Sequence, residues 1–233
     1  MLTLQDKAPD RSSSRLKLYD RNTSGNSYKV RLMLSFLELS CELIPVQLEE
    51  GRNKVDTAYF ELNPRGQVPT LKDDDVVLWG STAILMYLAS HYDDARQWLP
   101  VEPVALPQTG QWLELAQNEI STGLFLARAV QRFGYAGDLA AAQIAGRRAL
   151  EVLEGRLGQR EWLVGGCATV ADVACFPYVA LAGEGGFVLA DYPGVGRWLA
   201  RFKTLARFVS MPGIGEAAPA NSNYFHQATS LKS

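Results

Sequence analysis

The sequence predicts an α/β domain followed by an all-helical domain. In the first part, residues 16–93, short strand-like segments alternate with apolar helical ones. A linker with three prolines, residues 94–107, follows, and beyond it helical spacing continues without a clear strand. The chain has 233 residues, which is enough for two small domains.

The first domain has the predicted order β-α-β-α-β-β-α. The segments are strands at Leu16–Tyr19 and Glu42–Leu48, helices at Tyr28–Leu39, Lys54–Leu62 and Ser81–His91, and a hairpin of Val68–Lys72 with Val76–Trp79. Pro45 predicts that the second strand lies at a sheet edge, because proline cannot donate to a neighbouring strand. A strand-crossover-strand start followed by a hairpin is the thioredoxin-like arrangement.

The second domain, residues 108–218, is predicted to be a bundle of helices. They lie at Glu114–Phe133, Leu139–Leu157, Thr169–Ala182 and Tyr192–Leu205. Thr169 and Asp172 form a capping-box pattern ahead of an apolar run, for which we expect a structural role. We expect residues 1–15 to be a flexible extension and residues 219–233 a polar tail, in which Tyr224 and Phe225 could dock.

Composition excludes several classes of function. The net charge is −2 and no long basic run occurs, which argues against a nucleic-acid partner. No apolar run reaches membrane-spanning length, and the first residues lack the apolar core of a secretory signal. Three cysteines without a C-x-x-C pair and only two histidines predict neither a disulfide framework nor a metal site. A reducing cytoplasm is therefore the expected compartment.

A binding site is predicted where Val68-Pro69 follows a turn-prone segment, Asn63–Gly66. If the Val68–Pro69 bond is cis, the amide and carbonyl of Val68 turn outward and can pair with an extended peptide-like ligand. Ser81 begins the next helix, so its hydroxyl and the free N–H groups there suit an anion. Together the two features predict a site for a small peptide that carries a carboxylate.

Several segments, in their order and spacing, resemble the glutathione transferase family over nearly the whole chain. They are Leu16–Asp20, Ser24–Leu32, the segments around Pro69 and Ser81, and Ala168–Ala174. The match is most similar to the bacterial serine-type members. The resemblance implies the glutathione transferase fold, glutathione as co-substrate without a metal, a cytoplasmic homodimer, and detoxification of a small, apolar electrophile.

The resemblance makes Ser24 the candidate catalytic residue, with its hydroxyl donating a hydrogen bond to the glutathione sulfur. Lowering a thiol pKa from about 8.5 by about two units requires roughly 2.7 kcal/mol of thiolate stabilisation. A hydroxyl, backbone N–H groups and a helix dipole can share this. Asn26 and Ser27 are the competing candidates. This loop holds no cysteine, so it lacks the thiolate for glutaredoxin-like exchange.

The same resemblance assigns glutathione-binding roles. Val68, with Pro69, should pair through its backbone with the cysteinyl unit, Gln67 should reach the glycyl carboxylate, and Ser81 should bind the γ-glutamyl carboxylate. Asn26 lies close enough in sequence to Ser24 to contribute.

Other assignments are less specific. Lys54 and Arg52 are either cations at the glycyl end or ordinary surface charges. Gly80 stands where most relatives carry an acid that contacts the γ-glutamyl ammonium, so either another group substitutes or the site binds glutathione weakly; alternatively, glycine gives the backbone room.

The electrophile site is expected between the domains, and Trp112, Phe125 and Arg128 are its candidate residues. Two alternatives to a transferase stay open. One is a glutathione-dependent lyase, dehalogenase or peroxidase of the same fold. The other is a non-catalytic glutathione-binding or protein-interaction module, which the glycine in place of an acid favours.

Overall fold

A computed structural model describes residues 16–47, 57–215 and 225–227. Lys54, Arg52 and the predicted extension at residues 1–15 lie outside the described residues. The α/β domain precedes the helical one, so the predicted fold class is confirmed. None of the helices in the described ranges is long and apolar enough to cross a membrane.

The first domain is a mixed sheet with helices. Its elements are β1 (Leu16–Asp20), α1 (Gly25–Phe36), β2 (Cys41–Pro45), α2 (Thr57–Leu62), β3 (Thr70–Asp73), β4 (Val76–Trp79) and α3 (Ser81–Tyr92). Strand β1 pairs in parallel with β2 and antiparallel with β3, and β3 pairs antiparallel with β4. This is the predicted thioredoxin-like arrangement.

A fifth strand comes from the C-terminal tail and corrects the prediction that β2 is an edge strand. Strand β5 (Phe225–Gln227) runs parallel to β2, and the sheet order is β4-β3-β1-β2-β5. Pro45 lies beyond the part of β2 that pairs with β5, which ends at Leu43, so its missing N–H removes no bond to β5. A segment of three residues is too short to show the alternation of apolar and polar residues that identifies a strand. So short a strand forms only beside the edge of an existing sheet.

The second domain is helical. Its helices are α4 (Ala105–Gln117), α5 (Leu126–Phe133), α6 (Leu139–Leu157), α7 (Val170–Ala180) and α8 (Pro193–Lys203). The predicted single helix Glu114–Phe133 is interrupted, because a π-helical segment, Ile120–Phe125, separates α4 from α5. Helix α4 also begins two residues before the end of the predicted linker.

Helix α1 joins the two domains. It packs against both α3 and α7, and the buried side chains of both domains form one continuous core. The Tyr28 hydroxyl donates a hydrogen bond to the carbonyl of Val209, and the Ser35 hydroxyl donates one to the carbonyl of Arg207. These contacts hold α1 near both of its ends, and the candidate catalytic residue Ser24 lies just before its first residue.

Helix α7 begins at the predicted capping box. Thr169 is its N-cap, and the carboxylate of Asp172 reaches back to the Thr169 N–H at 3.0 Å. Asp172 is fully buried and also accepts hydrogen bonds from the Leu163 N–H at 3.2 Å and the Trp198 indole N–H at 3.0 Å. Burial raises the pKa of Asp172 to about 6, although these donors oppose the shift.

Candidate active site

A pocket of about 260 Å3 lies between the two domains. One wall comes from the first domain and we call it the α/β wall; the other comes from the helical domain and we call it the helical wall. The α/β wall includes Ser24, Asn26, Gln67, Val68, Pro69, Gly80 and Ser81, and the helical wall includes Phe125, Arg128, Phe133, Tyr135 and Tyr178. The structure therefore brings together the described candidates for catalysis, glutathione binding and the electrophile site, except Ser27 and Trp112.

Ser24 is the N-cap of α1. Its Oγ accepts a hydrogen bond from the Ser27 N–H at 3.2 Å, as expected for a serine at this position. That bond uses one lone pair, so the hydroxyl proton can be donated into the pocket. The positive end of α1 lies at the same place.

The two competitors of Ser24 differ in their surroundings. Asn26 lines the pocket, and its Oδ1 accepts a hydrogen bond from the Ser81 hydroxyl at 3.4 Å. Ser27 is fully buried, does not line the pocket, and its hydroxyl has no hydrogen-bond partner among the described residues. The geometry therefore leaves Ser24 and Asn26 as the polar groups at this end of α1 that can meet a ligand.

The segment Gln67–Pro69 lines the pocket as an outward-facing piece of backbone. The Val68–Pro69 bond is cis. The N–H and C=O of Val68 have no hydrogen-bond partner in the described parts of the chain, so both are available to a ligand. Pairing with the backbone of an extended peptide is the interaction that this arrangement permits.

Two side chains that the sequence reasoning did not identify hold this segment. The Tyr59 hydroxyl donates a hydrogen bond to the carbonyl of Gln67 at 2.8 Å, and the Asn63 side-chain amide donates to the same carbonyl. Both side chains also bond to the hydroxyl of Thr70 at the start of β3. An asparagine just before Pro64 was recognised as a turn signal, but its partners are set by the tertiary fold.

Ser81 is the first residue of α3, and only 4% of its surface is exposed. Its hydroxyl and the unpaired N–H groups of the first helical turn face the pocket, which suits a carboxylate. Gly80 precedes it with φ at 87°, a conformation that favours glycine. A Cβ at Gly80 would meet nothing within 4 Å, so backbone conformation and not space accounts for the glycine.

The helical wall is aromatic and carries a cation. The rings of Phe125 and Tyr178 lie 5.1 Å apart, and Phe133 and Tyr135 complete the wall. Arg128 lines the pocket although it is only 4% exposed. Neither Phe133 nor Tyr135 could be found from helical spacing, because they lie at the end of α5 and just beyond it.

Trp112 does not line this pocket. It lies in α4, is partly buried, and packs against the hydrophobic core. Its carbonyl accepts a weak hydrogen bond from the Cys175 thiol at 3.6 Å. None of the cysteines in the described chain lines the pocket, and Cys41 and Cys175 are buried.

The two walls meet where Tyr178 contacts α1. A Cβ at Gly25 would lie 2.6 Å from the Tyr178 ring, so only glycine permits this approach. The ammonium of Lys29, which is also buried, lies 5.2 Å from the centre of the same ring. Burial lowers the pKa of Lys29 to about 8.

Comparison with known proteins identifies the family of this chain. Residues 14–90 match the profile of the glutathione S-transferase N-terminal domain, and residues 127–201 match that of the C-terminal domain. Glutathione S-transferase GstB of Escherichia coli is 32% identical over 192 residues, which cover 78% of this chain and 90% of that protein.

Solved structures show the same relationship. A glutathione S-transferase from Pseudomonas fluorescens is 35% identical, with a TM-score of 0.78 over 85% of this chain and 99% of that one. A glutathione transferase family member from the same species, solved with two glutathione molecules bound, is 28% identical, with a TM-score of 0.71 over 82% of this chain and 89% of that one. The chain described here belongs to the glutathione transferase family.

Proposed function

We propose that this chain is a glutathione S-transferase of the serine type, which activates the glutathione thiol for attack on a small electrophile. The observation that carries the proposal is the single pocket shared by Ser24, the free backbone of Val68, and Ser81, with an aromatic wall opposite. The Ser24 hydroxyl suits a sulfur, the backbone of Val68 suits a peptide backbone, and Ser81 suits a carboxylate.

In this proposal glutathione lies along the α/β wall. Its γ-glutamyl carboxylate accepts hydrogen bonds from the Ser81 hydroxyl and the first N–H groups of α3. Its cysteinyl unit pairs with the backbone of Val68, and Gln67 lies toward the glycyl end. Lys54 stays a proposed cation at that end.

The thiol is activated by groups that favour its ionised form. The Ser24 hydroxyl donates a hydrogen bond to the sulfur while the Ser27 N–H holds the Ser24 oxygen in place. The dipole of α1 adds to this effect. The thiolate forms a bond to the electrophilic carbon, the leaving group departs with its electron pair, and the thiol proton goes to solvent.

Assembly as a homodimer is part of the proposal. An apolar groove of about 350 Å3 between α3 and α4 is lined by Met86, Leu99, Leu106 and Leu113. Met86 and Leu106 are 41% and 42% exposed in the single chain, and a second copy would cover them.

Light scattering should give a dimer for the wild type and a monomer for Leu106→Glu. The exposed Val152→Glu on α6 is the control and should stay dimeric. We place this dimer in the cytoplasm, in a detoxifying role.

The test of the proposed function is turnover of chlorodinitrobenzene with glutathione. We expect Ser24→Ala to keep binding glutathione in calorimetry and to lose kcat/KM by about 10- to 100-fold, because a hydrogen bond to the thiolate, worth about 1.5–3 kcal/mol, disappears while the backbone N–H groups and the helix dipole remain. Ser27→Ala is the matched control, since that hydroxyl is buried outside the pocket, and it should keep turnover.

Other outcomes identify the alternatives. Glutathione binding without turnover of any electrophile would make this chain a binding module, the reading that Gly80 favours. Product analysis separates the transferase from a lyase, a dehalogenase or a peroxidase, because each yields a different glutathione product. An unchanged rate in Ser24→Ala together with a loss in Asn26→Ala would move the catalytic role to Asn26.

A further inference from the structure

The helical wall combines flat apolar surfaces with a charge, a pairing that a purely apolar substrate does not need. Phe125, Phe133, Tyr135 and Tyr178 supply the rings, and Arg128 supplies the guanidinium. Arg128 is almost fully buried, yet it still reaches the pocket. Keeping a cation away from water is costly, so any charge on a buried guanidinium that its protein partners leave uncompensated at a ligand site favours a ligand with negative charge.

Arg128 lies beside the proposed position of the sulfur. Its NH1 donates a hydrogen bond at 3.2 Å to the carbonyl of Thr23, the residue before Ser24. The proposed sites for the glutathione carboxylates lie elsewhere, at Ser81 and toward Gln67. The guanidinium is therefore placed to meet the second substrate near the reacting atoms.

The charge of Arg128 is only partly neutralised. Its Nε donates to Glu184 at 2.8 Å, but the Nε of Arg132 also lies 3.6 Å from the same carboxylate oxygen. Two guanidinium groups thus share one carboxylate. Arg21 and Arg65 line the pocket as well, whereas no Asp or Glu side chain in the described ranges does. The pocket therefore has a positive potential, which an anion would lower.

We propose that the preferred electrophile is a planar aromatic molecule that carries a carboxylate, and that Arg128 binds this carboxylate. The planar fork of a guanidinium matches a carboxylate. With the anion at Arg128 and the ring against Phe125 and Tyr178, the electrophilic carbon would point toward Ser24. The inference rests on the proposed transferase function and names the substrate class for it.

The experiment compares a chloronitrobenzoate with the corresponding chloronitrobenzamide, which differ only in the anion. In both, the glutathione sulfur forms a bond to the ring carbon, chloride leaves with the C–Cl electron pair, and the thiol proton goes to solvent. Each kcat/KM is divided by the rate constant of the uncatalysed reaction with glutathione. We expect a wild-type preference for the benzoate of about tenfold or more, the size of a charge-assisted hydrogen bond.

Two arginine variants form a matched pair. Arg128→Gln should abolish the preference, because the benzoate reaction loses about tenfold more than the benzamide reaction does. Arg132 is the other partner of Glu184; its side chain is 63% exposed and does not line the pocket. Arg132→Gln should therefore keep the preference for the benzoate. Arg128→Lys keeps the positive charge but not the planar fork of the guanidinium, so it should keep part of the preference for the benzoate. This variant also tests the inference if Arg128→Gln does not fold.

Binding of the two glutathione conjugates, measured by calorimetry, separates this inference from the proposed function. We expect the carboxylate conjugate to bind the wild type about tenfold more tightly than the carboxamide conjugate, and Arg128→Gln to bind both alike. If the wild type binds the carboxylate conjugate more tightly but turns over neither substrate, anion binding is supported and the proposed transferase activity is overturned. Turnover with equal normalised rates for both substrates would overturn the inference and keep the transferase. An equal loss for both substrates in Arg128→Gln, with weaker glutathione binding, would also overturn it.

Discussion

The two walls of the pocket are built in different ways. The α/β wall uses backbone groups and small polar residues at element ends: the N-cap Ser24, the backbone of Val68, and Ser81 at the start of α3. The helical wall uses large side chains that converge from the π-helical segment, α5, the residues just after α5, and α7. The first kind of wall can hold a peptide whose backbone and carboxylate do not vary, whereas the second can be changed by substituting side chains. The comparison suggests that glutathione recognition lies in the first wall and electrophile choice in the second.

The largest expected effect is a loss of stability on removal of a buried carboxylate, and it tests whether the helical wall depends on that group. Asp172→Ala removes a carboxylate in the first turn of α7, the helix that carries Tyr178. That carboxylate accepts hydrogen bonds from the N–H groups of Leu163 and Thr169 and from the indole of Trp198. We expect the free energy of unfolding to fall by about 3 kcal/mol or more, because buried donors lose their partner. Urea unfolding measures this.

The control for that change is a cap exposed to solvent. Asp138 accepts a hydrogen bond from the Ala141 N–H at the start of α6. Asp138→Ala should cost about 1 kcal/mol, the usual value for an N-cap. Equal costs for the two substitutions would mean that Asp172 acts only as a local cap.

A second prediction concerns the point where the walls meet. Burial lowers the pKa of Lys29 to about 8, below its value in the unfolded chain. Between pH 8 and about 10.5 the unfolded chain therefore binds more protons, so the contribution of Lys29 to stability rises with pH. Below pH 8 its burial as a cation destabilises the fold by up to about 3 kcal/mol.

Lys29→Met should accordingly stabilise the protein at pH 7 by about 1–3 kcal/mol, with a smaller gain at pH 10. Urea unfolding of both proteins at the two pH values measures the difference, and comparison with the wild type cancels other titrating groups. A gain that stays constant with pH would show that Lys29 is not the group whose ionisation matters. Turnover of the variant would show whether the charge beneath Tyr178 also affects the pocket.

The smallest expected effect sharpens the role of the α/β wall. Gly80→Glu supplies an acid where the family resemblance predicts one, and a charge-assisted hydrogen bond to the γ-glutamyl ammonium is worth about 1.5–3 kcal/mol. The positive φ of Gly80 opposes the gain, because a residue with a Cβ is strained there by about 1–3 kcal/mol. We expect a net change in glutathione affinity of less than about tenfold.

Gly80→Ala separates the two contributions, since it introduces the strain without the acid. Calorimetry should show tighter glutathione binding for Gly80→Glu than for Gly80→Ala. Equal glutathione affinities of the two variants would show that a carboxylate at this position does not contribute to glutathione binding.

Most of the α/β wall could be predicted because its signals are local. Ser24 is a candidate through the family resemblance alone. A Val-Pro pair after the turn-prone segment Asn63–Gly66 predicts a segment that can pair with a peptide, and Ser81 after a glycine predicts a helix start. Each depends on a few neighbouring residues. The supporting bonds of Tyr59 and Asn63 were not predicted, because they join side chains to a carbonyl that only folding brings near.

The helical wall was predicted only in part. Phe125 and Arg128 line the pocket, whereas Trp112 does not. Helical spacing shows which residues share a face, but not which face meets the other domain. The π-helical segment Ile120–Phe125 changes the register between α4 and α5, so a single continuous helix was the wrong basis for placing residues along it.

By itself the sequence determined the order of the elements in the α/β domain, the two-domain fold class, and two of the segments that form the α/β wall, at Val68–Pro69 and at Ser81, because hydrophobic period, proline and capping residues act over a few positions. Only the tertiary structure decided that the tail adds a strand beside β2, that Phe133 and Tyr135 reach the pocket, and that Ser27 is buried while Ser24 is not. These outcomes depend on how whole elements dock against one another, and docking is set by packing between residues far apart in the chain.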